Sequence, residues 1–175
     1  MKTKFSINVL ILPLSIVEPE SLRDYFKNRA SALVIYHKIE NLINIYPDIE
    51  EWYKKKVLKA LNEKDSTREV LVALDENELK IAGIAILKKT KEENKICTIR
   101  VEKEYLHQGI GTQLFEEAFK YLEDTKPLIT ISEDNIEAFR PILKKFNFKL
   151  VEKIKGLYVP DKIEYIYNKK FKKED

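Results

Sequence analysis

Two of the four glycines in the chain stand two residues apart, in the stretch EYLHQGIGTQL at 104–114. An amphipathic stretch follows them, so Gly109 and Gly111 are expected at the first turn of a helix. The first amides of a helix lack partners within it and carry partial positive charge, which attracts anions. Glycine allows positive φ there and places no Cβ between the backbone and a ligand. With the hydroxyl of Thr112 nearby, the pattern predicts a turn that binds a pyrophosphate without a metal ion.

Other glycine motifs fit this stretch poorly. A Walker phosphate loop needs Lys and then Ser or Thr directly after its last glycine, where this chain has Thr112 and Gln113. The dinucleotide-binding fingerprint needs a third small residue at the position of Leu114, and it needs an acidic residue that is missing here. A turn whose glycines serve only tight packing remains the alternative to an anion site.

The elements that must position this turn follow from the apolar pattern. The stretch KICTIRV at 95–101 is predicted to be a strand that leads into the turn. Residues 109–123 are predicted to be a helix with an apolar side formed by Ile110, Leu114, Phe115, Ala118, Phe119 and Leu122. Further strands are predicted at 5–12, 69–74, 80–87, 127–132, 148–154 and 162–168, and further helices over about 20–45, from Asp48 onward and over 135–146. The order predicts an α/β domain with one mixed sheet.

Several residues constrain the predicted helices. Asp48 is expected to be an N-cap, with Glu51 at the capping-box position. Trp52 and Tyr53 are expected on a packed helix face rather than in a ligand pocket. Pro141 is tolerable only in the first turns of its helix or at a kink.

Composition limits the class of protein. The chain has 175 residues, which suits one compact domain over 1–175, and its net charge of +3 is too balanced to indicate nucleic acid. Cys97 is the only cysteine, so no internal disulfide can form and a cytoplasmic location is expected. It alternates with Ile99 and Val101 and is predicted to pack on their side of the strand. The apolar start of the chain is expected to be a buried strand rather than a signal peptide, and no stretch approaches membrane-spanning length.

The stretch IRVEKEYLHQGIGTQL resembles the acetyl-CoA-binding motif of the GNAT N-acetyltransferases. In that motif an apolar strand ends in Val, and a four-residue link leads to Arg or Gln-x-x-Gly-x-Gly or Ala, which opens a helix. Val101, Gly109, Gly111 and Thr112 stand at matching positions. The stretch PLITISEDNIEAFRPILKKFNF resembles the strand and helix that follow in the family, with matches at Asn135, Ala138 and Phe148.

The resemblance implies a GNAT-like fold, with a mixed, mostly antiparallel sheet of about seven strands and helices on both faces. Residues 1–66 would form the N-terminal strand and helices, and 67–170 the cofactor-binding core and closing hairpin. The implied activity is transfer of an acetyl group from acetyl-CoA to a primary amine by direct attack, with no metal. The acceptor would be a small molecule, a protein or an aminoacyl-tRNA, and the protein a monomer or homodimer without membrane contact.

The resemblance also implies a cofactor site. In the family the strand that matches TIRV splays from its neighbour, and the pantetheine arm pairs with its free edge near Ile99 and Val101. The amide of Val101 would polarise the thioester carbonyl. The implied cofactor-binding residues are Ile99, Arg100, Val101, Leu106, His107, Gln108, Gly109, Ile110, Gly111, Thr112 and Asn135.

Three residues depart from the family pattern. Leu106 replaces the usual Arg or Gln, although backbone amides supply most of that site. Asn147 replaces the usual Gly before Phe148, and asparagine tolerates left-handed φ nearly as well. Leu143 replaces a Tyr that is thought to protonate the leaving thiolate, and leucine cannot donate a proton.

The catalytic base is open at this stage. Several members of the family carry a Glu early on the strand before the turn, about where Lys95 stands, and Glu92 and Glu93 lie in the preceding loop. Tyr158 and Glu164, in the closing hairpin, are the other candidates for catalysis.

Two other functions remain open. A non-catalytic acyl-CoA-binding module is the first, because Leu143 and the missing base leave the chemistry incomplete. A toxin-like acetyltransferase acting on aminoacyl-tRNA is the second. The tail NKKFKKED is expected to be a frayed, solvated end.

Overall fold

The computed structural model describes residues 9–13, 35–59, 67–78 and 80–172. They form one seven-stranded sheet with the strand order β1-β2-β3-β4-β5-β7-β6. The predictions made for 5–8, 20–34 and 60–66 lie outside the described residues. The strands are β1 (Val9–Pro13), β2 (Arg68–Asp75), β3 (Lys80–Lys89), β4 (Asn94–Val101), β5 (Leu128–Ser132), β6 (Leu150–Lys155) and β7 (Ile163–Tyr167).

Pairing in the sheet is antiparallel except between β4 and β5. The meander β1-β2-β3-β4 forms one side of the sheet, and β5, β7 and β6 form the other. The parallel pair in the middle joins the two halves. The predicted mixed, mostly antiparallel sheet is therefore confirmed.

Helices cover both faces of the sheet, as predicted. Besides a helical segment at 35–39, three are described: α1 (Ile49–Trp52), which continues as a π-helical turn over Tyr53–Leu58, α2 (Ile110–Leu122) and α3 (Ile136–Lys145). A helical segment at 35–39 runs into a 3₁₀ turn at Glu40–Asn44 and precedes them.

The alternation of β2 divides the core between these faces. Leu71 and Ala73 point into a cluster with the apolar side of α2, whereas Val70 and Val72 point to α1 and the segment at 35–39. Because β2 and β3 are apolar on both sides, the sheet is a central layer between two helical layers.

The start of α1 differs from the prediction in one respect. Asp48 is the N-cap residue, but its side chain makes no capping hydrogen bond. Its φ of −90° and ψ of 11° depart from the extended conformation that directs a cap side chain to the free amides. Glu51 forms an ion pair with Lys55 instead. The predicted capping box is therefore wrong.

The end of α3 agrees with the prediction. Pro141 is exposed and lies in the second turn of the helix. Asn147 has a φ of 51°, and the amide of Phe148 donates to the carbonyl of Leu143 at 2.8 Å. This bond closes the helix in the left-handed manner usual for glycine, so asparagine serves here.

A β-bulge at Cys97 interrupts β4. Ile86 of β3 pairs with Thr98 and Leu87 pairs with Ile96, so Cys97 has no partner in this register. The extra residue turns Cys97 toward the α1 face, whereas Ile99 and Val101 pack on the α2 face. The prediction that Cys97 shares their side is wrong, because strict alternation fails at a bulge.

Candidate functional site

The strands β4 and β5 separate just after the bulge. They pair only at Lys95 with Leu128 and at Ile96 with Ile129. Beyond these pairs a cavity of about 60 Å³ lies between the strands, and Asn135 is one of the residues that line it. The sheet thus opens in its middle, where a strand edge is normally covered by its neighbour.

Backbone groups of β4 face this gap. The amide of Glu102 donates to the carbonyl of Ala82 at 2.9 Å, which fixes the alternation of the antiparallel ladder. The peptide groups of Arg100 therefore face β3, whereas those of Ile99 and Val101 face the gap. An extended ligand can pair with them as a further strand would.

The first turn of α2 carries free amides. Its first helical bond runs from the amide of Gln113 to the carbonyl of Gly109 at 3.1 Å. No capping side chain covers the preceding amides of residues 110–112 within the described part of the chain. Such amides bind anions well.

Only one glycine of the turn needs left-handed backbone. Gly109 has a φ of 84°, and a Cβ added to it would meet no atom within 4 Å. Gly111 lies inside α2, and the expected positive φ there is wrong. A Cβ on Gly111 would lie 3.7 Å from Cγ2 of Val101, an ordinary contact. Open space thus lies in front of the turn at Gly109.

The loop from β4 to α2 is held by a buried hydrogen bond. The hydroxyl of Tyr105 donates to Oδ2 of Asp75 at 3.0 Å. The next three residues, Leu106, His107 and Gln108, are exposed beside the helix terminus, and Leu106 is 47% exposed. Tyr105 fixes where the loop begins, and its role had no separate indication in the sequence.

A larger cavity of about 370 Å³ lies beside the gap. Its wall includes Trp52, which also packs against the α1-side core, whereas Tyr53 is fully in that core as predicted. The two cavities share four lining residues and therefore meet at the bulge of β4. The shared residues are Tyr46, Cys97, Thr98 and Thr130.

The C-terminal segment closes one side of the larger cavity. The amide of Phe171 donates to Oε1 of Glu152 at 2.9 Å, and its ring lies 6.3 Å from that of Tyr158. Asn168 donates from Nδ2 to the carbonyl of Pro127 at 2.9 Å. The tail is therefore ordered through residue 172, and the prediction of a frayed end is wrong for these residues.

Glu164 is buried beneath the meeting point of the cavities. It lies on β7 opposite Ser132, is 2% exposed and accepts a hydrogen bond from the hydroxyl of Tyr46. Its Oε2 atom has no hydrogen-bond partner among the residues described. Burial raises the pKa of Glu164 to about 7. A carboxyl that titrates near neutrality can accept a proton at physiological pH.

Tyr46 connects this carboxyl to both cavities. Burial, and then the nearby Glu164, raises the pKa of the Tyr46 hydroxyl far above its usual value, so the hydroxyl stays protonated. Because Tyr46 lines both cavities, its hydroxyl can pass a proton between them and Glu164. Sequence reasoning missed Tyr46, which follows a 3₁₀ turn and belongs to no motif.

Tyr158 lies on the other side of Tyr46. Their rings meet edge to face at 5.4 Å, and Tyr158 is 38% exposed. The ammonium of Lys95 donates to the Tyr158 hydroxyl at 3.4 Å. Burial acts to lower the pKa of Lys95, but Cys97, Tyr158 and Glu93 together raise it above its usual value. Lys95 therefore faces the larger cavity as a cation.

Other predicted groups lie away from this junction. Leu143 is buried in the α2-side core and lines neither described cavity. Glu92 is exposed in its loop, and Glu93 pairs with Lys88 at 2.9 Å. Of the candidates for catalysis, the structure brings Tyr158 and Glu164 together around Tyr46.

The described part of the chain has neither a metal-binding cluster nor a membrane-spanning helix. It contains no group of three or more His, Cys, Asp or Glu side chains arranged to hold a metal ion. None of its helices has the length and apolar character needed to cross a membrane.

The raised pKa of Glu164 predicts a pH-dependent stability. Burial favours the protonated carboxyl in the folded state, so its stabilisation is complete below the unfolded pKa of 4.5 and is lost as pH rises through about 7. Glu164→Gln stays neutral, and we expect it to exceed the wild type in free energy of unfolding by roughly 3 kcal/mol at about pH 9. Urea unfolding of both proteins across the pH range measures this. A difference that does not grow with pH would contradict it.

Comparison with known proteins agrees with this architecture. The family model described as "Acetyltransferase (GNAT) family" matches residues 33–148. Comparison with curated protein sequences gives no match.

Solved structures with the same fold include acetyltransferases of several kinds. A protein assigned to the GNAT family from Desulfovibrio desulfuricans has 16% identity and a TM-score of 0.68, with 91% of this chain and 97% of that chain covered. The ribosomal-protein-S18-alanine N-acetyltransferase from Escherichia coli has 17% identity and a TM-score of 0.64, with 91% and 92% covered. A streptothricin acetyltransferase from Bacillus anthracis in complex with acetyl coenzyme A has 20% identity and a TM-score of 0.53, with 65% and 68% covered.

Proposed function

Because the chain belongs to the GNAT family of acetyltransferases, we propose that it transfers an acetyl group from acetyl-CoA to a primary amine by direct attack. The observation that carries the proposal is the opening of the sheet beside the bare first turn of α2. A free strand edge and free helix amides lie on either side of the turn in one strand-turn-helix unit. Together they suit a long ligand with an extended amide arm and a diphosphate.

The backbone would hold the donor. The peptide groups of Ile99 and Val101 would pair with the pantetheine arm, and the amides of Ile110, Gly111 and Thr112 would bind the diphosphate. The open space at Gly109 fits a phosphate close to the backbone. When bound, acetyl-CoA supplies the acetyl group as a thioester.

Side chains near the turn would add contacts. His107 and Gln108 are exposed beside the free amides, and Asn135 lines the gap between β4 and β5. Leu106, at 47% exposure, would contribute its backbone rather than a charged group. In this proposal Arg100 contributes only by keeping β4 paired with β3.

The amide of Val101 would donate a hydrogen bond to the oxygen that gains charge during transfer. A fixed backbone donor of this kind needs no reorganisation when charge develops. The alternation of hydrogen bonds between β3 and β4 supports this role of Val101, because it directs the amide into the gap.

Glu164 would receive the proton of the attacking amine through the hydroxyl of Tyr46. The carboxylate has an oxygen without a partner among the described residues, and its pKa of about 7 suits a base at neutral pH. Leu143 cannot donate a proton to the leaving thiolate. The hydroxyl of Tyr46, a residue that lines both cavities, or the hydroxyl of Tyr158 beside Lys95 would do so.

Binding and turnover test the proposal separately. Acetyl-CoA at 100 times its Kd should stabilise the folded protein by about 2.7 kcal/mol, measured as a thermal shift. Thiol release with a panel of primary amines should then reveal turnover. An absent shift at millimolar acetyl-CoA would overturn the proposal, whereas a shift without release on any acceptor would favour the non-catalytic acyl-CoA-binding module. As part of the same proposal we place the protein in the cytoplasm, since Cys97 is its only cysteine.

A further inference from the structure

The larger cavity carries more cationic than anionic side chains. Aromatic rings form much of its wall, and charged groups stand between them. The rings are those of Tyr46, Trp52, Tyr158 and Phe171; the cations are Arg68, Lys88, Lys95 and Lys172; and the anions are Asp48 and Glu93.

One cation and one anion of this set neutralise each other. Lys88 and Glu93 form an ion pair at 2.9 Å, with side chains that are only 14% and 17% exposed. Asp48 is exposed at the start of α1. Among the described lining residues, three cations and Asp48 remain outside this ion pair.

Lys95 is the cation best placed to bind a ligand. Its ammonium lies 3.4 Å from the Tyr158 hydroxyl and 5.0 Å from the centre of the Phe171 ring. Within the described ranges no carboxylate comes within ion-pair distance of it. A half-buried ammonium whose close contacts are a phenol hydroxyl and an aromatic ring, with no carboxylate paired to it among the described residues, favours an anion in the cavity.

Arg68 is a second, more deeply buried cation of the cavity wall. Arg68 is 6% exposed, its Nη1 lies 3.1 Å from Sγ of Cys97, and its guanidinium lies 5.8 Å from the ring centre of Trp52. The contact with Trp52 fixes one aromatic wall against the base of the cavity.

The cavity wall combines polar groups and aromatic rings that lie close together. Tyr158 touches Lys95 through its hydroxyl and Tyr46 through its ring. A small molecule can therefore reach from Lys95 to the hydroxyl that leads to Glu164. Trp52 and Phe171 add apolar surface to the same cavity.

Building on the transferase function above, we propose that the acceptor is an α-amino acid with an apolar side chain. Its carboxylate binds Lys95, its side chain packs between the aromatic walls, and its amine lies next to Tyr46. Polycationic amines should be poor acceptors, because they offer no carboxylate to Lys95 and are repelled by its charge.

Matched acceptors test this inference. We expect kcat/KM for phenylalanine to exceed that for phenethylamine, which lacks the carboxylate, by at least about tenfold, the usual effect of one charge-assisted hydrogen bond. Lys95→Met should reduce this ratio to near one. Lys91→Met, in the exposed loop before β4, is the matched control and should keep the ratio. Spermidine should be a poor acceptor for the wild type.

A binding measurement separates this inference from the transferase function. Calorimetry with N-acetylphenylalanine and N-acetylphenylalaninamide should show tighter binding of the acid, and Lys95→Met should remove the difference. Turnover without a carboxylate preference, or a preference that survives Lys95→Met, would overturn the inference and leave the transferase function standing. Carboxylate-dependent binding without any turnover would support the Lys95 site and overturn the transferase function. Neither turnover nor selective binding would overturn both.

Discussion

Gly109→Val is expected to raise the Kd of acetyl-CoA by at least about 100-fold, or about 2.7 kcal/mol. The φ of 84° at Gly109 strains any side chain, and a β-branched one most. The added atoms would occupy the open space in front of the free amides of α2. Isothermal titration with acetyl-CoA measures the loss, and circular dichroism checks that the variant is folded.

Gly156→Val is the matched control for strain. Gly156 has a φ of 75° in the turn between β6 and β7, away from the first turn of α2. It should lose at least as much stability, since a Cβ there would also lie 3.1 Å from the carbonyl oxygen of Pro160, while the Kd of acetyl-CoA stays nearly unchanged. If both variants weaken acetyl-CoA equally, or if Gly109→Val binds it normally, the phosphate site at α2 is wrong.

Glu164→Gln is expected to lower kcat by about 100-fold to 10,000-fold, the usual range for a general base. The Kd of acetyl-CoA should not change, since the carboxyl lies beneath the junction of the cavities. In the wild type, kcat should fall about tenfold per pH unit below a pH of about 7, because protonated Glu164 cannot accept a proton. Glu164→Gln should lose this acid limb. Steady-state kinetics over a pH series measures both effects.

Two further variants make the assignment of Glu164 specific. Tyr46→Phe removes the hydroxyl between Glu164 and the cavities, so it should lower kcat without changing the Kd of acetyl-CoA. Glu92→Gln, in the exposed loop, should behave as the wild type. If Glu164→Gln retains wild-type kcat, or Glu92→Gln loses it, the base lies elsewhere.

The combined expectations for Glu164→Gln run in opposite directions. The variant should be more stable at alkaline pH and less active at neutral and alkaline pH. The buried carboxyl destabilises the fold at alkaline pH. A loss of stability in exchange for activity is expected of a functional site. If Glu164 had no catalytic role, Glu164→Gln would gain stability at alkaline pH without losing turnover.

Local patterns sufficed to predict the strand, turn and helix that we propose hold the donor. Gly109 and the apolar side of α2 follow one another directly in the chain, so period and turn chemistry predict their geometry. The same holds for Asn147, whose left-handed φ depends only on the end of its own helix. These features are decided within a few residues, which is the range that sequence patterns cover.

The acceptor side could not be predicted in the same way. Tyr46 meets Glu164 only because a 3₁₀ turn and β7 are brought together across the sheet. The bulge at Cys97 looks like regular alternation in the sequence, yet it decides which side chains face each cavity. Glu164 was one of several candidates named from the sequence, and its burial against the Tyr46 hydroxyl distinguishes it from the others.

The free edge of β4 consists of peptide groups, which every residue type except proline carries in full. Substitutions at Ile99 or Val101 that preserve the strand would leave the proposed donor contacts in place. A substitution at Trp52, Lys95 or Phe171 changes the surface offered to the acceptor. Proteins with this scaffold can therefore change their acceptor by substitutions that leave the proposed donor contacts intact. We expect related sequences to differ first among the residues that line the larger cavity.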